Sequence, residues 1–275
     1  MKKGLLIFTI IISFMIIVMS GCAKKEKQDK VSADIVKKNI KIGTFSSSKI
    51  AADSGKEELE KKGYEVEIVV FDDAVLPNTA LAEGSIDANL FQHTPYLDAY
   101  LKDNNKVSLS MVDPLLYYPN YGLYSLKHKD INDIPQGGTI GIYNDASNMD
   151  RGLRLLDACG LIKLTDEKKD LYSKLDIIEN PKNFKFAEMA FGTAVRSLDD
   201  TDASIAGASH ILQADMDPKS ALVFEEVNNN FSCGLTVRTG NLDDNWVKDM
   251  IKAYTSDDAR EKLNKGYKGA STPLY

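Results

Sequence analysis

Short apolar runs alternate with amphipathic stretches from residue 40 to the C-terminus, a pattern that predicts strands alternating with helices. In the first series we expect strands at 40–45, 64–71, 86–91 and 107–112. Because such units place their strands side by side in one direction, this series predicts a parallel sheet. The other expected elements are helices at 46–62, 77–83, 94–104, 148–158, 191–198, 209–214, 246–254 and 257–267, and strands at 139–143, 176–179, 185–188 and 202–206.

Residues 113–125 interrupt this alternation. The segment contains two prolines, a glycine and four tyrosines, so it cannot form a regular helix, and we interpret it as a crossing between two lobes. The extended stretch 233–238 would carry the chain back. The sequence therefore predicts an α/β protein with two lobes, 40–117 plus 239–275 and 118–238, joined by two crossings around a ligand cleft.

The N-terminus has the pattern of an export signal. Lys2 and Lys3 precede an apolar run of about 16 residues, shorter than the roughly 20 that a membrane-spanning helix needs. Small residues then lead into Cys22, as in a bacterial lipobox, where the cysteine takes a lipid and becomes the new N-terminus. We therefore expect a signal peptide at 1–21, a lipidated Cys22 and a solvated tether at 22–39, on the extracytoplasmic face of the cell membrane. An uncleaved N-terminal anchor is the alternative.

Composition excludes several classes of protein. Apolar residues make up 43% and charged residues 27%, an ordinary globular balance, and the net charge of −6 disfavours nucleic acid as a partner. Three cysteines are too few for a disulfide scaffold and have no zinc spacing. With Cys22 acylated, Cys159 and Cys233 could pair, but two buried free thiols are the expectation.

No catalytic motif is present. The sequence has no nucleophile elbow, no phosphate-binding glycine loop and no metalloprotease motif, and its histidines are far apart without metal-ligand spacing: His93, His128 and His210. We therefore expect a binding protein rather than an enzyme, with no cofactor and no metal.

Two clusters at the ends of predicted strands offer binding chemistry. Phe91, His93 and Tyr96 could sandwich an apolar or thioether side chain at the carboxyl end of a strand, although ordinary core packing is an alternative. Asn148 and Arg151 lie at a helix start, where Arg151 could hold a carboxylate through a two-pronged hydrogen bond. The alternatives are that Asn148 is only the helix cap and that Arg151 pairs with a neighbouring aspartate, Asp145 or Asp150.

At these clusters the chain resembles the NlpA lipoprotein family, the methionine-binding substrate proteins of bacterial ABC importers. The resemblance runs from Lys41 to the C-terminus. The matching segments include 71–73, 77–81, 84–89, 91–97, 121–125, 144–148 with Arg151, 160–164, 180–182 and 267–270.

The resemblance implies a two-lobed periplasmic-binding-protein fold that closes on its ligand and delivers it to a membrane permease with its ATPase. Phe91, His93 and Tyr96 would then enclose the ligand side chain. Asn148 and Arg151 would engage its polar end, with Arg151 on the carboxylate.

This sequence departs from the family at four pocket positions. Two family asparagines are replaced by Gly207 and Ser209, a third by Cys233, and a family tyrosine by Ala74. Lost amide hydrogen bonds weaken binding, and smaller side chains enlarge the pocket. We therefore expect a small zwitterion, namely methionine, a related amino acid or a short peptide, with Ser209 and Cys233 as pocket residues. The rival functions are a surface adhesin or ligand sensor without a transport role, and an exported enzyme on the same scaffold.

Overall fold

A computed structural model of the chain describes residues 37–275. The predicted signal peptide, the lipidated Cys22 and most of the tether lie outside the described residues. Within them, no helix is long and apolar enough to cross a membrane. The helices are α1 Lys49–Ser54, α2 Lys56–Lys61, α3 Leu76–Glu83, α4 Thr94–Asp103, α5 Ala146–Ala158, α6 Ala208–Gln213, α7 Asn245–Tyr254 and α8 Asp257–Tyr267.

The strands form two sheets of five strands each and two small pairs. They are β1 Asn39–Phe45, β2 Glu65–Phe71, β3 Ala88–Asn89, β4 Leu109–Met111, β5 Tyr117–Pro119, β6 Tyr121–Tyr124, β7 Thr139–Tyr143, β8 Lys163–Leu164, β9 Ile177–Glu179, β10 Lys185–Met189, β11 Ala203–Gly207, β12 Val223–Phe224, β13 Thr236–Arg238 and β14 Ser271–Pro273.

The first sheet has the strand order β2-β1-β3-β13-β4. Strand β1 pairs in parallel with β2 and β3, as the sequence predicts, but β13 lies antiparallel between β3 and β4. The expectation of a purely parallel sheet was therefore wrong. The reason is that β13 belongs to the return crossing, so it enters this sheet from the second lobe in the opposite direction.

The second sheet has the order β10-β7-β11-β6-β12. Strands β10, β7 and β11 are parallel, whereas β6 and β12 add an antiparallel edge. Helix α5 packs against β7, and α6 follows β11 directly. This α/β unit is the second lobe, and together with the first it gives the two-lobed fold that the sequence predicts.

Two crossings join the lobes and lie side by side. Strand β5 in the first crossing pairs with the C-terminal strand β14. In the second crossing Cys233 makes single β-bridges to both His93 and Tyr117. The predicted second lobe extended to residue 238, whereas β13 already pairs in the first sheet. We propose that the second lobe ends before β13, within 225–235.

The chain breaks a predicted helix where two elements come close together. The single helix expected at 46–62 is divided at Gly55 into α1 and α2, after a short 3₁₀ turn at Ser46–Ser48. A Cβ added at Gly55 would lie 2.5 Å from the ring of Tyr254 on α7. A side chain at this position would therefore force the Tyr254 ring or the backbone to shift, where α2 packs against α7. The predicted C-terminal helices do pack on the first lobe, since α8 also contacts α1.

A second predicted helix, at 191–198, is two 3₁₀ turns, Phe191–Thr193 and Arg196–Leu198. Gly192 and the β-branched Thr193 and Val195 have low helix propensity, which disfavours a continuous helix. Instead, the turn places the ring centroid of Phe191 5.4 Å from that of Phe45, which belongs to the first lobe.

Candidate functional site

The first lobe contributes an aromatic cluster at the start of α4. His93 caps this helix, because its Nδ1 accepts a hydrogen bond of 3.2 Å from the backbone N–H of Tyr96. The ring of Tyr96 meets Phe91 edge-on at 5.8 Å and His93 at 6.3 Å between centroids. Phe91 and His93 are buried, at 7% and 5% exposure. The three residues that the sequence singled out are thus brought together.

A network of buried amides holds the loop that carries this cluster. Gln92 lies between Phe91 and His93, and its side chain exchanges two hydrogen bonds with Asn78, of 2.8 and 2.7 Å. Asn89 donates to Asn78 at 2.9 Å and accepts from Gln92 at 3.0 Å. All three amides are almost fully buried. Because buried amides are costly to leave unpaired, this network fixes the loop relative to α3 and β3.

The second lobe contributes the first turns of α5. Asp145 is the cap of this helix and accepts a hydrogen bond of 2.9 Å from the backbone N–H of Asn148. The side-chain amide of Asn148 also donates to Asp145, at 3.0 Å. The alternative that Asn148 is itself the cap was therefore wrong. Asp145 instead orients the Asn148 side chain so that its Oδ1 faces the first lobe.

A hydrogen bond between His93 and Asn148 joins the two lobes. His93 Nε2 lies 3.2 Å from Asn148 Oδ1. Since His93 Nδ1 already accepts from Tyr96, the neutral imidazole must carry its proton on Nε2 and donate to Asn148. Burial and, to a smaller extent, the positive charge of Arg151 together lower the pKa of His93 to about 3. His93 is therefore a neutral donor at physiological pH.

These elements enclose a small cavity between the lobes. Its volume of about 20 Å³ matches roughly one water molecule, so a ligand of amino-acid size requires the lobes or side chains to move apart. Tyr96, His93 and Phe91 lie on the first-lobe side, and Asn148 and Phe191 lie on the second-lobe side. The complete lining is Ala74, Phe91, Gln92, His93, Tyr96, Asn148 and Phe191.

Arg151 is buried one turn after Asn148, at 2% exposure, and pairs with Glu225. Its Nε donates to the two carboxylate oxygens of Glu225 at 3.0 and 2.9 Å, and its Nη2 donates to Glu225 and to the backbone oxygen of Pro119. The guanidinium also stacks between the rings of Tyr121, at 4.2 Å, and Phe231, at 4.6 Å.

Glu225 changes two expectations for Arg151. Arg151 does not pair with Asp145 or Asp150, and Asp150 is instead held by Arg154 at 2.8 Å. Burial opposes the charge of Arg151, but the hydrogen bonds and negative charge of Glu225 raise the pKa of Arg151 above its ordinary value. The side chain is therefore charged, and a protein carboxylate already occupies the edge that a two-pronged ligand contact would use.

The Gly207–Ser209 segment does not line the cavity, in contrast to the expectation from the sequence. Ser209 is in the first turn of α6 and does not line the cavity. The neighbouring His210 is buried against Phe191, with 4.7 Å between ring centroids, and its Nδ1 lies 3.1 Å from the Tyr143 hydroxyl. Its Nε2 has no hydrogen-bond partner among residues 37–275, and burial lowers the pKa of His210 to about 4.

Cys233 lies beside the cavity rather than in its wall. The side chain is 2% exposed, and its Sγ is 3.8 Å from the carbonyl oxygen of Phe91. Burial raises the pKa of Cys233 to about 12, so the group is a neutral thiol. Cys159 is half-buried and does not pair with Cys233.

The sequence did not predict two residues of the site, Phe191 and Glu225. Phe191 is hidden in a segment that the pattern assigned to a helix. Glu225 lies 74 positions from Arg151, and nothing distinguishes it among 40 acidic residues. A buried arginine does demand a counter-ion, but only the fold shows which one supplies it.

The arrangement can bind a ligand, since it combines aromatic faces, a neutral imidazole, amides and one buried cation. Among residues 37–275 no three His, Cys, Asp or Glu side chains are placed to hold a metal ion. Two α/β lobes with such a cleft between them define the class of two-lobed, substrate-binding periplasmic-type proteins.

The chain belongs to the NlpA lipoprotein family, whose model matches residues 40–275. It is 36% identical over 258 residues to the D-methionine-binding lipoprotein MetQ of Salmonella typhi, with 92% of each chain covered. The corresponding protein of Escherichia coli K12 is also 36% identical, with 91% of each chain covered.

Solved structures agree with this assignment. A nutrient-binding protein from Burkholderia cenocepacia bound to methionine has a TM-score of 0.81 and 36% identity, covering 86% of this chain and 100% of that one. Protein PG110 from Staphylococcus aureus has a TM-score of 0.82 and 31% identity, covering 86% and 94%. The MetQ relatives and the Burkholderia protein are named as binding proteins, and the resemblance predicted from the sequence is confirmed.

Proposed function

We propose that this protein is an extracytoplasmic substrate-binding lipoprotein of an ABC importer. It binds methionine, a related amino acid or a short peptide between its lobes and delivers it to the permease and its ATPase. The observation that carries the proposal is the pairing of the Phe91, His93 and Tyr96 cluster with Asn148 and Phe191 across the cleft. Methionine-binding relatives with the same fold support it.

Each site residue has a proposed role. Phe91, His93 and Tyr96 enclose the ligand side chain, since flat aromatic faces suit a thioether. Asn148 binds the polar end. Arg151 contacts the carboxylate through Nη1, because its Nε and Nη2 are engaged by Glu225 and Pro119. Ser209 and Cys233 shape the pocket from behind its wall.

We also propose that the protein is attached to the membrane through a lipid. Lipid on Cys22 would tether the protein to the extracytoplasmic face of the cell membrane, with residues 22–39 as the spacer. Mass spectrometry of the N-terminal peptide should show the added mass of a lipid, and the variant Cys22→Ser should lack it. An unmodified and uncleaved N-terminus would contradict the anchor.

Calorimetry on the purified protein tests the ligand, preceded by native mass spectrometry to identify any small molecule that copurifies. We expect saturable binding of methionine, a related amino acid or a methionine-containing dipeptide. Absence of binding across these ligands would contradict the proposed function and favour an adhesin or sensor role.

The variant Tyr96→Ala tests the aromatic cluster. Loss of a buried aromatic contact costs about 1.5 to 3 kcal/mol, so affinity should fall about 10- to 150-fold. The matched control is Tyr100→Ala, one turn further along α4 and outside the cavity wall, which should bind within about threefold of the wild type. Equal affinities for Tyr96→Ala and the wild type would show that the ligand side chain lies elsewhere.

A further inference from the structure

One terminal nitrogen of the Arg151 guanidinium, Nη1, has no hydrogen-bond partner among residues 37–275. The Nε and Nη2 atoms donate to Glu225 and Pro119. The side chain is nevertheless 98% buried, judged from its 2% exposure. A guanidinium carries five donors, so a buried arginine with an idle nitrogen has donors available for a further acceptor.

Glu225 is itself held firmly in place. Its side chain is 10% exposed, and the Tyr118 hydroxyl donates to its Oε1. Tyr118 also lies against the guanidinium, with 5.4 Å between Arg151 Cζ and the ring centroid. The ion pair is thus largely buried and geometrically fixed, and Glu225 neutralises Arg151 without a ligand carboxylate.

We propose that Glu225 is a built-in counter-ion that determines how strongly the cleft discriminates between a ligand carboxylate and the corresponding uncharged amide. This inference rests on the proposed function, in which the ligand's polar end meets Arg151. A ligand carboxylate at Nη1 gains a charge-assisted hydrogen bond. It also brings a second negative charge close to Glu225, and this repulsion offsets part of the gain.

The wild-type protein therefore tolerates an amide in place of the carboxylate. We expect methionine and methionine amide to differ in affinity by less than about tenfold. A carboxylate that was the only partner of a buried arginine would contribute much more, on the order of 10- to 150-fold. Titration of both ligands into the wild type tests this directly, without any variant.

The variant Glu225→Gln preserves the size of the side chain and one carbonyl acceptor but removes its charge. Arg151 would then lack a counter-ion, and a ligand carboxylate would supply one. We expect the ratio of methionine to methionine amide affinity to rise at least about tenfold over the wild type. The matched control is Glu226→Gln, which makes the same charge change at the adjacent exposed residue and should leave the ratio unchanged.

The outcomes separate this inference from the function on which it rests. If Glu225→Gln weakened the binding of methionine and of methionine amide equally, Glu225 would only support the fold. If the variant lowered the ratio of methionine to methionine amide affinity, Glu225 would position Arg151 for the ligand carboxylate. Either result overturns the inference, as does a wild-type ratio above about tenfold, which remains measurable if Glu225→Gln does not fold. Failure of the wild type to bind either ligand, or any other amino acid or peptide, overturns the proposed function and the inference with it.

Discussion

Arg151 and His93 are two basic side chains buried at the same cleft, and their surroundings give them different charge states. Glu225 keeps Arg151 charged, whereas burial and the nearby guanidinium keep His93 neutral. The difference follows from the partners: Arg151 faces a carboxylate, and His93 faces a backbone N–H and an amide oxygen. A protonated His93 would clash with the N–H at Nδ1. The cleft therefore offers a neutral donor and a neutralised cation rather than two positive charges.

The two buried histidines predict how stability depends on pH. Their pKa values in the folded protein, about 3 for His93 and about 4 for His210, are below the ordinary value of 6.5. The unfolded chain therefore binds more protons below pH 6.5, and the free energy of unfolding falls as pH decreases. The expected loss approaches about 1.4 kcal/mol per pH unit for each histidine.

Urea denaturation between pH 7 and pH 5 measures this loss. The carboxyl groups of Asp202 and Asp249 have pKa values held below their usual range by hydrogen bonds, so they titrate at lower pH. His210→Phe should reduce the pH slope by the contribution of one histidine. A stability that stays constant across this pH range would contradict the assignment of both histidines as neutral.

At the scale of elements, strong local patterns predicted structure well. Strand β7 and helix α8 have the same bounds as predicted, and α5 differs by two residues at its start. Predictions failed where distant segments decide the outcome. The direction of β13 depends on its approach from the other lobe, and the close packing at Gly55 depends on Tyr254, which is 199 positions away in the sequence. Local periodicity contains neither piece of information.

The break between α1 and α2 gives a prediction for stability. In Gly55→Ala the added Cβ would lie 2.5 Å from the Tyr254 ring, so α2 and α7 must separate or the ring must move. Overpacking of this kind costs about 1 to 3 kcal/mol. Gly240→Ala is the control, because a Cβ there meets nothing within 4 Å.

Chemical denaturation of both glycine variants tests this point. The Gly240→Ala variant should remain within about 0.5 kcal/mol of the wild type. If Gly55→Ala were equally stable, the gain in helix propensity would offset the contact, and the Tyr254 ring would not restrict residue 55 to glycine.

At the scale of the whole molecule, the described residues 37–275 hold the lobes together through individual side-chain contacts across the cleft. These include the hydrogen bond from His93 to Asn148, the edge-on contacts of Phe45 with Phe191 and His210, and that of His93 with Phe231. Such contacts contribute about 1 kcal/mol each, which is small enough for a ligand that touches both lobes to shift the balance. The candidate site could be predicted in its two halves, at the ends of strands, but the aromatic contacts between the halves could not.

Cys233 lies in the second crossing and pairs with the first, so the rate at which its thiol reacts can report how often the cleft opens. Its sulfur is buried and protonated in this structure, so a disulfide reagent can react with it only after a motion exposes the thiol, and we expect opening of the cleft to be that motion. Cys159→Ser removes the half-buried competitor. In that variant we expect saturating methionine, or whichever amino acid or peptide binds, to slow Cys233 modification in proportion to occupancy. If a bound ligand leaves the modification rate unchanged, some motion other than opening of the cleft exposes the thiol. If the ligand slows modification, the rate in the unliganded protein measures how often the cleft opens.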